Sequence, residues 1–318
     1  MLDLSAKIEL ASKHFIGKRI FIFITRKCNL NCPYCNVIRN QYADLSLAEW
    51  HEEFKYFDKF RVSTAVLMGG EPTERKDLLE IIKGVKRYSR AKVNLVTNLI
   101  RIKSDPAYAM ALSQAGLDTI AVSINNFAGL PILADLSPLF KRIVVNTIIS
   151  KNNIGEIKNI ALRVSQYKNC FFSPLLLQVE ENYFSSSKTK SDLPDYEDIR
   201  RVVKDLIILK LKGYPVSRSF HYLLYMKKYV KGRRWNCKKD VFKRFFAINN
   251  DGRLMVCQGT SPLDFKLSQL NRENIPDFKK QAKAAAAGCP GCLYDCTFDI
   301  PKVFFHFFEY LIMFRRFF

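Results

Sequence analysis

Over the first 212 residues, short apolar runs rich in β-branched and aromatic side chains alternate with longer stretches in which apolar positions recur every three or four residues. The runs at 19–25, 64–68, 93–97, 119–124, 143–149 and 171–179 predict strands. The stretches at 47–60, 76–88, 106–115, 153–166 and 195–212 predict helices. The connection 125–141 departs from this pattern, because Pro131 and Pro138 limit any helix there. Strands in repeated βα order imply a parallel sheet with right-handed crossovers. Six strands are too few for a closed eightfold barrel, so an α/β fold is expected over residues 18–212, either a partial (βα)6 TIM-like barrel or an open sheet.

Beyond this repeat the pattern changes. The Ser, Lys and Pro-rich stretch 185–194 reads as a loop, and Gly213-Tyr214-Pro215 as a boundary. A basic amphipathic helix is expected at 217–230. Strands at 244–248 and 253–256 flank Asn249-Asn250-Asp251-Gly252, whose Asp-Gly pair is a strong hairpin-turn signal. The alanine run 284–287 reads as helix. A helical extension is expected at 1–17, a small second domain at 213–300, and an amphipathic helix at 301–318. Residues 303–318 hold eight aromatics in sixteen positions, with Lys302, His306, Glu309 and Arg316 on one narrow polar stripe. So wide an apolar face must be covered, by the protein itself or by a membrane interface.

The charge adds a second theme. The 318 residues carry a formal net charge of +21, and 48% hydrophobic with 25% charged residues excludes a disordered or fibrous chain. Residues 210–244 contain 12 Lys or Arg and one acid, Asp240, so about half of the excess sits there. An anionic partner is expected. Basic residues interleaved with aromatics, as in 217–235, suit an anionic lipid surface or single-stranded nucleic acid. The membrane surface, reached through 210–244 and 303–318, is the favoured partner of the two. No apolar stretch approaches the roughly 20 residues of a spanning helix, and the charged amino terminus is unlike a signal peptide. The expected location is cytoplasmic, peripheral on the inner face of the membrane.

Nine cysteines in such a chain point to metal or reactive thiols rather than disulfides. They fall as Cys28, Cys32 and Cys35, then Cys170, then Cys237, Cys257, Cys289, Cys292 and Cys296. Cys28-Asn-Leu-Asn-Cys32-Pro-Tyr-Cys35 sets three thiolates on one loop after the first strand. Three can hold three irons of a 4Fe-4S cluster and leave the fourth open, whereas a structural zinc wants four protein ligands. The second strand ends in Gly69-Gly70-Glu71-Pro72, where glycines permit close backbone approach and Glu71 can accept from an ammonium. Asn98, Ser123, Asn125 and Asn146 stand at or near the ends of the next three strands, where chemistry gathers in βα barrels. Cys170, alone in a strand, reads as core.

CxxxCxxC with an aromatic before its last cysteine, followed by GGEP one strand later, resembles the radical S-adenosylmethionine (radical SAM) superfamily. The resemblance covers residues 18–212. It implies that Cys28, Cys32 and Cys35 hold the cluster, that SAM chelates its open iron, and that Tyr34 lies against the adenine. It further implies that Gly69, Gly70, Glu71 and Pro72 receive the SAM amino group, with Ser123, Asn125, Asn98 and Asn146 as further contacts. Reductive cleavage of SAM by one electron then yields a 5′-deoxyadenosyl radical that abstracts a substrate hydrogen. The electron would come from a donor such as flavodoxin or ferredoxin.

The later cysteines combine Cys237, a Gly252-x4-Cys257 hairpin and Cys289-Pro-Gly-Cys292. They resemble the SPASM and twitch extensions of radical SAM enzymes, and their number suits one auxiliary 4Fe-4S cluster, with Cys296 a rival of Cys292 for the last ligand place. A zinc ribbon is the competing reading. The charge and the tail favour an anionic or amphiphilic, lipid-linked substrate. The alternative is a peptide-modifying maturase, set second because no leader-binding domain reads ahead of the barrel. A nonenzymatic Fe-S or zinc protein that binds nucleic acid is a third reading, and it leaves GGEP unexplained.

Overall fold

The computed structural model describes residues 18–40, 42–235 and 245–294. The expected helices at 1–17 and 301–318, together with Cys237 and Cys296, lie outside the described residues.

Six strands, β1 (Lys18–Thr25), β2 (Val62–Gly69), β3 (Lys92–Thr97), β4 (Thr119–Ser123), β5 (Ile143–Ile149) and β6 (Cys170–Leu176), lie side by side in chain order, each parallel to the next. Between them run α1 (Leu47–Phe54), α2 (Leu78–Tyr88), α3 (Ile100–Ser104), α4 (Pro106–Gln114), α5 (Leu133–Leu136) and α6 (Ile157–Val164). Residues 125–141 form no long helix, as their prolines require; a 3-10 turn over Phe127–Ile132 leads into the four residues of α5. The helix α7 (Tyr196–Leu211) follows β6 and starts where Asp195 accepts the backbone N–H of Asp198.

The sheet does not stop at six. After α8 (Phe220–Val230), β7 (Phe245–Ile248) pairs parallel with β1 and turns back into β8 (Leu254–Met255), giving the order β6-β5-β4-β3-β2-β1-β7-β8. The hairpin turn forms at Asn249–Gly252 with Gly252 at φ +83°, the left-handed conformation that glycine adopts without penalty. The alanine run closes α9 (Ile275–Ala287). The sheet therefore stays open, with β6 at one edge and β8 at the other.

Its two faces differ. On β5, Ile143, Val145, Thr147 and Ile149 are buried, while Val144, Asn146 and Ile148 are partly exposed. This period of two separates the helix-covered face from the inner face of the open barrel. Register aligns Val96, Ala121, Val144 and Phe171 as one row on the inner face, and Ser123, Asn146 and Ser173 as a polar row nearer the strand ends.

The basic stretch from residue 210 does not form one exposed surface. Lys210 is 1% exposed and donates to the Val216 carbonyl at 3.0 Å. Arg218 is buried and donates to Ser173 Oγ at 2.7 Å. Arg234 is ion-paired with buried Glu180, and Lys231 sits 3.7 Å above the Tyr196 ring. Among the described residues the helix and its flanks thus use part of this charge, at Lys210, Arg218 and Arg234, to close the β6 edge of the sheet.

Candidate active site

The cysteine loop is fastened where it starts. Gly70 N–H donates to the Thr25 carbonyl at 2.9 Å and Glu71 N–H to the Lys27 carbonyl at 2.8 Å, so the end of β2 grips the chain leaving β1. The two glycines make this possible. A Cβ at Gly69 would stand 2.1 Å from Thr25 O, and one at Gly70 2.0 Å from Lys27 O. The close approach that GGEP permits is thus first of all an approach of the protein's own backbone.

Cys28, Cys32 and Cys35 are all half-buried on this loop. Cys28 Sγ accepts the Leu30 N–H at 3.4 Å, and Cys35 N–H closes a turn onto Cys32 O at 3.0 Å. Burial raises the Cys28 and Cys35 thiols above their ordinary values, and repulsion from the neighbouring cysteines raises both further. The three sulfurs therefore lie within electrostatic reach of one another. Among the described residues no three His, Cys, Asp or Glu side chains stand close enough to hold a single metal ion. An all-thiol donor set spread along one loop fits the separate irons of a cluster.

Glu71 is 2% exposed and both of its carboxylate oxygens accept hydrogen bonds. Oε1 accepts from Thr73 N–H, Thr73 Oγ1 and Thr97 Oγ1, and Oε2 from Asn98 N–H at 2.8 Å. It ties the end of β2 to the end of β3. Pro72 opens the 3-10 turn that carries Thr73. The Asn98 side chain donates to Asn29 Oδ1 at 2.7 Å, and Asn29 in turn to Glu74 at 3.0 Å, which holds the cysteine loop over β2 and β3. The Tyr34 hydroxyl meets the Cys32 and Asn125 side chains, and burial is the main cause that raises its pKa. Asn125 Oδ1 accepts the Ile148 N–H at 2.8 Å, and its carbonyl accepts from Asn153. The structure thus joins Tyr34 to Asn125 and Asn98 to Glu71. Ser123 and Asn146 lie side by side in register at the strand ends, with Ser123 exposed.

Several supports were not read from the sequence. Arg26, 1% exposed, donates to Asn249 through Nε at 3.1 Å and through a second, shorter bond, and its guanidinium lies against the Phe23 and Tyr183 rings at 4.4 and 4.6 Å. Burial lowers its pKa. Asn250 donates to Tyr42 O and Asp44 Oδ1, both at 2.7 Å, while Asp44 accepts from Thr25. The β7–β8 turn is therefore a clamp on the cysteine loop, and its signal was a pair of asparagines beyond what the Asp-Gly turn needs. Residues 180–187 form a second clamp. Asn36 donates to the Asn182 and Ser185 carbonyls, and Ser186 N–H bonds to Tyr34 O.

The same segment reaches the later cysteines. Tyr183 N–H donates to Gly259 O at 3.3 Å, and the Phe184 ring packs edge-on against Phe23 at 6.0 Å and Tyr294 at 5.4 Å. Cys257, Cys289 and Cys292 each accept the N–H two residues on, from Gly259, Gly291 and Tyr294 at 3.4, 3.4 and 3.5 Å. Cys28 shows the same pattern, which stabilises a thiolate at its sulfur. Cys170 is fully buried in β6, away from both groups in the fold.

Charge at this end of the sheet is mixed, with bases in excess. Exposed Lys27, Lys76, Lys103, Lys151 and Lys188 are interspersed with exposed Glu74, Asp105 and Glu181.

Residues 22–129 match the Radical SAM superfamily. The chain is 36% identical over 217 residues to the "Probable GTP 3',8-cyclase" of Methanococcus aeolicus, covering 64% of this chain and 63% of that protein. A second such protein, from Thermoplasma volcanium, is 32% identical over 108 residues, 32% of its length. The chain thus spans less than two thirds of these relatives. The PqqA peptide cyclase of Rhodopseudomonas palustris is 24% identical over 326 residues, covering 89% of this chain and 78% of that protein. Among solved structures, Streptococcus suis SuiB bound to precursor peptide SuiA superposes with a TM-score of 0.61 at 13% identity, over 84% of this chain and 66% of that one. Native anSMEcpe with bound AdoMet superposes with a TM-score of 0.57 at 15% identity, over 94% and 96%.

Proposed function

We propose that the chain, whose residues 22–129 match the radical SAM superfamily, is a peptide-modifying enzyme of that family, whose members bind a 4Fe-4S cluster and SAM. Cys28, Cys32 and Cys35 would hold the cluster, with SAM over the ends of β2–β5 between Tyr34, Asn98, Ser123, Asn125 and Asn146. When bound, the cluster and SAM supply one-electron cleavage to a 5′-deoxyadenosyl radical. The chain's own residues hold the parts in place. Glu71 Oε1 is taken by Thr73 and Thr97, while Oε2 takes the Asn98 N–H and keeps a lone pair, with which it would receive the SAM amino group beside Gly69, Gly70 and Pro72. The observation that carries this reading is the triad of thiols bonded, at the root of its loop, to the GGEP backbone.

The relatives support a peptide over an anionic small molecule. The relative that covers 89% of this chain is a peptide cyclase, and SuiB was solved with a precursor peptide. The cyclases named for GTP favour a nucleotide as the second reading. We assign Cys237, Cys257, Cys289 and Cys292, with Cys296 the rival of Cys292, to one auxiliary cluster; the three N–H···S bonds at Cys257, Cys289 and Cys292 suit sulfurs held as metal ligands.

The test uses the full chain, reconstituted with iron and sulfide without oxygen. With dithionite and SAM it should release 5′-deoxyadenosine, faster with a cognate peptide than with GTP. Its absence from a fully loaded protein would refute the enzyme reading, and GTP-dependent stimulation would favour the nucleotide. The loaded chain should carry about eight irons, four per cluster; about four irons with one tightly held zinc would instead mark a zinc ribbon.

A further inference from the structure

Because β1–β6 run the same way, the connections that enter them gather on one face, opposite the cysteine loop. That face is basic. The link from α1 to β2 carries exposed Lys55, Lys59 and Arg61. The end of α2 and the start of β3 carry exposed Lys86, Arg87, Arg90 and Lys92. Exposed Lys141 and Arg142 precede β5, Lys168 precedes β6, and Arg19 begins β1. The acids in the connections entering β2–β6 are Asp58 and Asp118, and both are engaged. Asp58 accepts the Arg90 N–H at 3.1 Å, and Asp118 accepts from Lys86 Nζ at 2.5 Å and Val93 N–H at 2.7 Å. Of the cations, Lys55 is paired with Glu52.

Cations in the last turn of a helix stabilise its macrodipole, which accounts for Lys86 and Arg87. It does not account for Lys59, Arg61, Lys92, Lys141 or Lys168, which stand in connections or at strand starts. Aromatics are set among them. Lys59 Nζ lies 5.6 Å from the Tyr56 ring centre and 5.8 Å from that of Phe60, Arg87 lies 5.5 Å from Tyr88, and Arg142 4.5 Å from Phe171. Rings already covered by cations offer poor platforms for stacking bases, which single-strand nucleic-acid binding requires. Half-buried tyrosine and phenylalanine beneath a layer of cations instead suits the headgroup level of a bilayer. Leu211, 58% exposed beside Lys212 at the end of α7, adds an apolar tip on the same side.

We infer that the face at the amino ends of β1–β6 docks on an anionic lipid surface. This surface is distinct from the segment around α8, and it fixes an orientation. The cysteine loop and the polar strand ends point away from the lipid, so substrate arrives from the aqueous side rather than out of the bilayer. No helix among the described residues is long and apolar enough to cross a membrane, so the attachment is peripheral.

The test compares the full-length loaded protein with two triple variants in co-sedimentation with vesicles of phosphatidylcholine, alone or mixed with phosphatidylserine. Lys92→Gln, Lys141→Gln and Lys168→Gln together should weaken binding to the mixed vesicles on the order of a hundredfold. Lys76→Gln, Lys103→Gln and Lys188→Gln, the same charge removed from the opposite face, should leave it within about twofold, and added salt should weaken the wild type. Both variants should keep the wild-type circular dichroism and dithionite-driven SAM cleavage, which separates this inference from the enzyme reading. Equal binding by the two variants, undiminished binding to phosphatidylcholine alone, or tighter binding to single-stranded poly(dT) than to the mixed vesicles would each overturn it. So would loss of all binding in a chain ending at Ile300 that keeps the three lysines.

Discussion

The two cysteine groups are built differently. Cys28, Cys32 and Cys35 sit on one loop that is held by the GGEP backbone at its root, by Asn98 through Asn29 along its length, and by residues 180–187 at its end. Arg26 and Asn250 add a clamp from the β7–β8 turn. Cys257, Cys289 and Cys292 come from separate segments, a strand end and a tight turn, and each sulfur accepts the N–H two residues on. On the proposed assignment, the bonding around the first group holds the loop that would present an open site and accept a second ligand, whereas a closed site of four thiolates would be organised by its own metal.

The largest effect should separate the two groups directly. Cys28→Ala should abolish dithionite-driven 5′-deoxyadenosine formation while leaving about four irons per chain. Cys257→Ala should lose about half the iron as well yet keep dithionite-driven SAM cleavage. Iron analysis beside chromatography of the nucleoside checks both. Equal loss of cleavage in the two variants would show that the second group is needed for the first to form.

Gly70→Ala attacks the root of the loop. Its Cβ would meet Lys27 O at 2.0 Å, and a backbone carbonyl cannot swing aside as a side chain can. The cost should be roughly 3 kcal/mol or more, expressed as loss of iron from the first site and a lower apparent melting temperature. Gly155→Ala, where a Cβ meets nothing within 4 Å, is the matched control and should load normally. Asn249→Ala tests the clamp. It leaves the buried Arg26 guanidinium without its main acceptor, at a cost of roughly 2 kcal/mol, or on the order of 5 °C in apparent melting temperature. If the clamp matters to the loop as the bonding suggests, Asn249→Ala should also speed the release of iron to a chelator.

The barrel was legible in the sequence because its strands carry a clean period of apolar runs and its helices a clean period of three to four. The broken connection 125–141 was equally plain from Pro131 and Pro138. The cysteine triad and GGEP were legible because their spacing is local. What could not be read was long-range. Nothing near Arg26 announces that it will meet Asn249, 223 positions away, and Asn250 looked like turn chemistry until the fold brought Tyr42 and Asp44 to it. The net charge misled in the same way. Its densest run in the sequence is partly consumed inside the fold at Lys210 and Arg218, while the exposed basic face is assembled from connections scattered from Arg19 to Lys168.

Cys170 sets the smallest effect and serves as the reference for both groups. It belongs to neither, is fully buried in β6, and burial pushes its thiol up to about 12. A thiol whose folded pKa lies above its unfolded value of about 8.5 stays protonated in the native chain while the unfolded chain loses the proton. The unfolded state then binds fewer protons, so this group's contribution to stability is fully present below about pH 8.5 and declines as pH rises towards 12. At pH 8 the native thiolate is both scarce and inaccessible. In metal-free protein treated with iodoacetamide at that pH, half-buried Cys28, Cys32, Cys35 and Cys289 should be modified within the time that leaves Cys170 untouched, as read by peptide mass mapping. Cys170 should react only with denaturant present. Early modification of Cys170 would mean that β6 opens readily, and the contrast between a firmly held first site and a metal-organised second one would then lose its fixed frame.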